Sequence, residues 1–231
     1  MALLAKEKDI LVPGEEIAKG MDYIPGSGTY RDKDSVVCQR FGLLSLSGRT
    51  AHIIPLTGKY APKKDDTIIG IVADVSFSGW RIDTNSAYSA MLNVKDATSE
   101  FVSKGADLTR FFKIGDIIFT KIFNVTSQKL IDLSMRGPEL RKLEGGTIIS
   151  VDPNKVPRLI GKNASMVTLM EGTGCRIYIG QNGLVWIKGE PDAEVRLIKI
   201  IKKVEEEAHT PGLTKKIEDY VNEIKKEAKK V

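Results

Sequence analysis

The stretch from Gly180 to Gly189, GQNGLVWIKG, constrains the fold of this chain more than any other. Asn182 and Gly183 separate two β-rich runs, CRIYIG and LVWIKG, and this pattern is typical of a hairpin. Both residues tolerate positive φ, so both are expected to adopt it in the turn. Upstream, VPRLIGKN predicts a short helix that ends in a Gly-Lys-Asn loop. Residues 147–207 are therefore predicted to run strand, helix, glycine loop, helix, strand, strand, helix.

Two further helices follow from apolar spacing. DAEVRLIKIIKKVEEEA places Val195, Ile198, Ile201 and Val204 at helical intervals, which predicts the last helix of that segment. LTKKIEDYVNEIKKEAKKV predicts a final amphipathic helix, assigned to residues 208–231. Its apolar stripe requires a partner, either its own domain or another subunit.

Composition narrows the class of protein. The chain has 231 residues, 42% of them hydrophobic, which is enough for two or three small domains. A net charge of +5 permits polyanion binding but does not require it. The two cysteines stand in unrelated contexts, which disfavours disulfides and a cysteine-rich zinc site and favours a reducing compartment. No apolar run reaches the length of a membrane span, so we expect a cytoplasmic protein with no membrane partner.

The first two-thirds of the chain read as two β modules. Short β-type runs punctuated by Gly and Pro predict a small amino-terminal β domain at 1–63, and APKKDD reads as a linker. The second module, 64–136, resembles the S-one RNA-binding domain, a five-stranded barrel of the OB type. Four features carry that resemblance: Gly70, Gly79, Gly115-Asp116 and the closing run Leu133-Ser134-Met135-Arg136.

The carboxy-terminal pattern, assigned to 145–207, resembles a K-homology (KH) domain, whose glycine loop clamps a nucleic-acid backbone. A β domain, an S-one barrel and one KH domain in this order resemble the KH-containing RNA-binding cap subunit of the archaeal exosome. That family has a Gly-x-Asn-Gly signature, and Gly180, Asn182 and Gly183 match it. The resemblance implies a mixed β and α+β fold and a subunit without catalytic activity or cofactor. It further implies that three caps, of this type alone or mixed with a second type, guide single-stranded RNA into a hexameric ring of RNase PH-like subunits for 3′-to-5′ degradation.

Other assignments fit less well. The second exosome cap type needs a zinc ribbon with four cysteines, and this chain has two. Polynucleotide phosphorylase places KH before S-one and has two catalytic domains in front of them, and the bacterial factor with both modules has two KH domains. A free-standing RNA-binding regulator of transcription or translation remains the alternative function.

The barrel departs from the usual S-one pattern at its RNA face. Many S-one domains have aromatic residues where this chain has Ser78 and Arg81, and strand alternation directs Trp80 away from that face, into the core or a domain interface. RNA contact by the barrel is therefore predicted to be mainly electrostatic, although each candidate could also be an ordinary solvated charge. The candidates are Arg81, Lys121, Lys129 and Arg136.

The KH loop departs from its family as well. It reads Gly161-Lys162-Asn163-Ala164, with alanine where a second glycine would let a phosphate approach. Arg158, Gly161, Lys162 and Asn163 are the candidate RNA contacts here. The competing interpretation, which we favour, is a degenerate loop in a domain retained for packing and assembly.

The remaining polar groups do not predict catalysis. Gly180, Asn182 and Gly183 are assigned a structural or assembly role. Asp65 and Asp66 are adjacent in a linker, where successive side chains point apart, and no further carboxylates complete a two-metal site. Neither His52 nor His209 stands in a sequence pattern that would pair it with a serine or cysteine nucleophile. We therefore predict no catalytic residue, no metal and no cofactor.

Overall fold

The computed structural model describes residues 2–100, 102, 103, 105–161, 167 and 170–207. The chain divides into two compact units, Met1–Gly58 and Lys59–Val231. The final helix predicted for 208–231 lies outside the described residues, as does most of the second helix predicted for the KH segment. Within the described part of the chain, no helix has the length and apolar character needed to cross a membrane.

The first unit contains two four-stranded sheets, with orders β1-β3-β6-β5 and β2-β7-β8-β4. Their strands are β1 Ala2–Leu3, β2 Ile10–Leu11, β3 Glu16–Lys19, β4 Ile24–Pro25, β5 Thr29–Asp32, β6 Ser35–Cys38, β7 Gly42–Ser47 and β8 Thr50–Pro55. Alternating apolar residues point inward, so that Ile17, Val36, Leu44 and Ile53 form a common core. The small amino-terminal β domain predicted from the Gly-rich sequence is therefore present.

The second unit begins with a closed five-stranded barrel, as the S-one resemblance predicted. Its strands are β9 Thr67–Ser76, β10 Gly79–Asp83, β11 Ser89–Asn93, β12 Ile117–Val125 and β13 Ile131–Ser134. The order is β13-β11-β10-β9-β12, and antiparallel pairing of β12 with β13 closes it. A short helix, α1 (Val94–Ala97), follows β11. A further strand, β14 (Arg141–Leu143), pairs with β12 and extends this sheet toward the KH domain.

Trp80 lies in the barrel core, one of the two buried locations that strand alternation left open. Its side chain is fully buried, and its ring meets Phe111 and Phe112 edge-on with centroid distances of 6.3 and 5.1 Å. The indole Nε1 donates a hydrogen bond to the carbonyl of Phe112 at 3.0 Å. The indole therefore packs inside the barrel, away from any ligand on its outer surface.

The KH domain is built on a three-stranded antiparallel sheet in the order β15-β17-β16. Its described elements are β15 Thr147–Ser150, α2 Val156–Ile160, β16 Arg176–Ile179, β17 Leu184–Lys188 and α3 Pro191–Glu206. One face of the sheet packs on α2 and α3. The other face contributes Leu184 and Trp186 to an apolar cluster with Ile69, Phe119 and Leu143 of the barrel sheet. The two modules therefore share a buried interface.

The helix α3 buries the apolar stripe that the sequence predicted, with the exception of Val195. Its buried residues are Ala193, Leu197, Ile200, Ile201 and Val204. Val195, placed on the apolar face by its spacing, is 54% exposed. It follows Ala193 by two residues, a rotation of about 200° around a helix of 3.6 residues per turn, so it points away from the core. The prediction of the helix is confirmed, and the prediction for Val195 is wrong.

Candidate nucleic-acid interface and the turn beside it

The β16–β17 turn is a three-residue hairpin loop. Gly180 N–H donates to the carbonyl of Leu184 at 2.8 Å, and Gly183 N–H donates to the carbonyl of Gly180 at 3.0 Å. Gly183 has φ of +81°, whereas Asn182 is not among the described residues with positive φ. A loop of this kind requires positive φ only at its last residue. The prediction that both residues adopt positive φ is therefore wrong for Asn182.

Asn182 instead directs its side chain into the interface with the barrel. It is fully buried, and its Nδ2 donates to the carbonyls of Ile69 (2.7 Å) and Thr84 (2.8 Å). Its Oδ1 accepts a hydrogen bond from the backbone N–H of Ile69 at 3.3 Å. One amide therefore satisfies three backbone groups on two segments of the barrel. Unpaired, such groups would carry a desolvation cost.

The rest of the Gly-x-Asn-Gly motif fits the same contact. Gln181 N–H donates to the carbonyl of Thr67 at 2.9 Å, and Asn85 Nδ2 donates to the carbonyl of Asn182 at 3.2 Å. A Cβ added at Gly180 would lie 2.7 Å from the backbone nitrogen of Ile69, so only glycine permits this approach. The motif therefore joins the KH domain to the barrel of the same chain, and a role in contacts with other subunits stays a prediction.

Three of the four predicted barrel cations are in ion pairs. Arg81 contacts Asp74 at 3.0 Å, Lys121 contacts Asp65 at 2.7 Å and Arg136 contacts Asp96 at 3.8 Å. The hydrogen bond from Lys121 holds the pKa of the Asp65 carboxyl below its usual range. Lys129 is exposed and has no carboxylate partner within the part of the chain that the structure describes.

The structure does not bring these four cations into one cluster. Arg81 pairs across the sheet with Asp74, near one end of β9, whereas Lys121 pairs with Thr67 at the other end. Seven residues of strand separate the two positions, about 23 Å at about 3.3 Å per residue. Lys129 lies in the loop between β12 and β13. A single ligand that contacts all of them must therefore extend around the barrel.

The KH candidates are only partly described. Arg158 is exposed on α2, and Gly161 ends that helix with φ of +71°. Lys162 and Asn163 lie outside the described residues, as does Ala164. The role of this loop stays a prediction.

Two surface residues at the barrel were not singled out by the sequence. Phe77, in the turn between β9 and β10, is 94% exposed. Lys95, on α1, is exposed and follows Val94, whose N–H donates to the carbonyl of Ser78 in the same turn. The only signal in the sequence for this site was an aromatic residue between two serines, because the contact of the turn with α1 depends on the pairing of β10 with β11.

The described residues contain no group of three or more histidine, cysteine or carboxylate side chains able to hold a metal ion. Asp65 and Asp66 make separate contacts, the first with Lys121 and the second with the Tyr60 hydroxyl at 2.6 Å. Burial, with a smaller contribution from Asp66, raises the pKa of that hydroxyl. His52 Nδ1 accepts the Ser27 N–H at 3.2 Å. These groups therefore make local structural contacts.

Comparisons with known proteins agree with the geometry. Residues 146–193 match the KH domain family. The chain is 42% identical to exosome complex component Rrp4 of Methanothermus fervidus, over 95% of this chain and 97% of that protein. It is 39% identical to the Thermoplasma acidophilum protein of the same name, over 98% of this chain and 95% of that one.

A solved structure shares the fold. A crystal structure of a protein assigned to the exosome complex as RNA-binding superposes with a TM-score of 0.65 at 32% identity. The match covers 73% of this chain and 98% of that one. Identity of about 40% over nearly the whole length, together with the KH match, shows that this chain belongs to the family of the archaeal exosome complex component Rrp4.

Proposed function

We propose that this chain is a non-catalytic RNA-binding cap subunit that helps to guide single-stranded RNA into a phosphorolytic ring of RNase PH-like subunits. The observation that carries the proposal is the interface between barrel and KH domain. Asn182 and the cluster around Trp186 join two RNA-binding modules within one compact unit. Such a unit presents a preformed path to RNA, and its domains lose little freedom on binding.

RNA contact is proposed to be electrostatic and weak. Lys129 and Arg158 are exposed, and neither has a carboxylate partner among the described residues, so both can contact phosphates directly. Arg81, Lys121 and Arg136 can contribute only by leaving or sharing their acidic partners. Each of these three residues is therefore expected to contribute less binding free energy per phosphate, because its contact with RNA would replace an existing ion pair.

A docking surface for the ring is proposed on the first unit. The outer face of the β2-β7-β8-β4 sheet places Ile10, Leu43 and Ile54 side by side across three strands. Ile10 is 61% exposed and Ile54 is 54% exposed. A row of apolar side chains on a solvent-facing sheet is characteristic of a protein contact. Because cap subunits are expected to bind the ring, we propose a ring subunit as the partner of this face.

The experiment measures phosphorolysis of a labelled single-stranded RNA by the ring subunits with and without this chain. The chain alone is expected to yield no shortened RNA, with or without phosphate and magnesium, because its described residues form no metal cluster. Added to the ring, it is expected to speed degradation at limiting RNA. Shortened RNA in reactions that contain only the purified chain would contradict the non-catalytic assignment. An unchanged rate of RNA degradation by the ring when the chain is added would favour a free-standing regulator.

A further inference from the structure

We infer that Phe77 and Lys95 form a contact site for single-stranded RNA at the turn between β9 and β10, with Phe77 stacking on a base and Lys95 binding a phosphate. The inference rests on the proposed function and adds two residues to it. Neither residue is among the candidates identified from the sequence. The usual aromatic positions of S-one domains are here Ser78 and Arg81, so the aromatic ring lies elsewhere on the barrel.

The turn that carries Phe77 has a fixed backbone. Ser76 and Gly79 pair across β9 and β10, which leaves Phe77 and Ser78 as the two turn residues. Ser76 Oγ donates to the carbonyl of Gly79 at 3.0 Å, and the carbonyl of Ser78 accepts the Val94 N–H at 3.2 Å. The Phe77 ring nevertheless remains 94% exposed. An exposed ring on an ordered turn loses little backbone freedom when a base stacks on it.

Two cationic residues are connected to this turn through α1, whose first residue bonds to Ser78. Lys95 directly follows Val94 and is exposed, and no carboxylate within the described ranges contacts its ammonium group. The Arg136 Nη2 donates to the carbonyl of Lys95 at 2.5 Å. The Arg136 side chain is 67% exposed, and its ion pair with Asp96 is long at 3.8 Å. The turn therefore combines an aromatic face with positive charge that acidic neighbours neutralise only in part.

This combination favours RNA over a protein partner. Phe77 stands between Ser76 and Ser78, and the exposed Lys95 follows the residue that bonds to Ser78, so polar and charged residues adjoin this aromatic position. The cores of protein interfaces are apolar and depleted of lysine. Surfaces that bind single strands without sequence preference combine aromatic platforms with cationic side chains. The site is thus expected to accept any unpaired base.

The test titrates the full chain against two fluorescein-labelled probes, a single-stranded oligouridine and an abasic ribose-phosphate oligomer of the same length. Stacking worth about 1–3 kcal/mol per base predicts that Phe77→Ala weakens oligouridine binding about 5- to 150-fold. The same change should leave affinity for the abasic oligomer unaltered, since that probe has no base to stack. Phe77→Trp should retain oligouridine binding. Lys95→Gln should reduce the dependence of log affinity on log salt by about 0.7.

Phe123→Ala is the matched control, because Phe123 is a second exposed aromatic residue on the same barrel, 62% exposed on β12. It is expected to leave oligouridine binding unaltered. Equal affinity of wild type and Phe77→Ala for oligouridine, with circular dichroism unaltered, would overturn this inference and leave the proposed function standing. No oligouridine binding by the wild type would overturn both. Unaltered RNA affinity with weaker binding to ring subunits would identify Phe77 as a protein contact and overturn the inference.

Discussion

Asn182→Ala is expected to lower the free energy of unfolding of the second unit by at least about 3 kcal/mol. The change removes three hydrogen bonds and leaves the N–H and carbonyl of Ile69 and the carbonyl of Thr84 buried without that partner. Each such group costs about 1–3 kcal/mol when it is unpaired. Denaturant unfolding followed by tryptophan fluorescence measures the effect, because Trp186 lies at the barrel–KH interface.

Gln181→Ala is the matched control for this prediction. Gln181 is the exposed neighbour of Asn182 in the same loop, and only its backbone N–H reaches the barrel. Its side-chain change should therefore leave the free energy of unfolding within about 0.5 kcal/mol of wild type, as is usual for surface positions. An Asn182→Ala protein as stable as the Gln181→Ala protein would show that the hydrogen bonds to Ile69 and Thr84 contribute little.

Trp80→Ala is expected to destabilise the barrel by about 3–5 kcal/mol, the range for removal of a large buried aromatic residue. The substitution leaves a cavity beside Phe111 and Phe112 and an unpaired carbonyl on Phe112. Trp80→Phe keeps an aromatic ring but removes the Nε1 donor, so it should cost less. Denaturant unfolding followed by far-ultraviolet circular dichroism compares the three proteins.

Phe123→Ala again provides the control, here for the loss of an aromatic side chain at a surface position of the barrel. It should change stability by no more than about 0.5 kcal/mol. A Trp80→Ala protein that unfolds like wild type but binds RNA more weakly would contradict the assignment of Trp80 to the core. It would instead indicate that the indole meets RNA.

Local patterns in the sequence predicted much of the fold. Alternation along β10 placed Trp80 inside and Arg81 outside, because successive residues of a strand point to opposite faces. The last KH helix was also predicted correctly, but Val195 was assigned to the wrong face. Val, Ile and Leu occupy more than one side of α3, and only contact with the sheet decides which side is buried.

The site could be predicted less well, because its contacts join distant parts of the chain. Asn182 bonds to Ile69, 113 residues away, and no local pattern contains that partner. The Asn-Gly pair correctly indicated a turn but suggested the wrong backbone at Asn182. The ion pair of Arg81 with Asp74 likewise depends on strand register, which composition and net charge do not reveal.

The assignment as a cap subunit is tested most directly by mixing this chain with the proposed hexameric ring of RNase PH-like subunits and measuring the mass of the complex by size exclusion with light scattering. A cap subunit should co-elute with the ring at three copies of the 25.4 kDa chain per hexamer. Ile54→Asp on the proposed docking face should abolish co-elution, because it places a charge in the row with Ile10 and Leu43. Ile114→Asp, at an exposed barrel position, should co-elute like wild type. A wild-type chain that elutes alone at its monomer mass, with an intact fold, would contradict the assignment as a cap subunit.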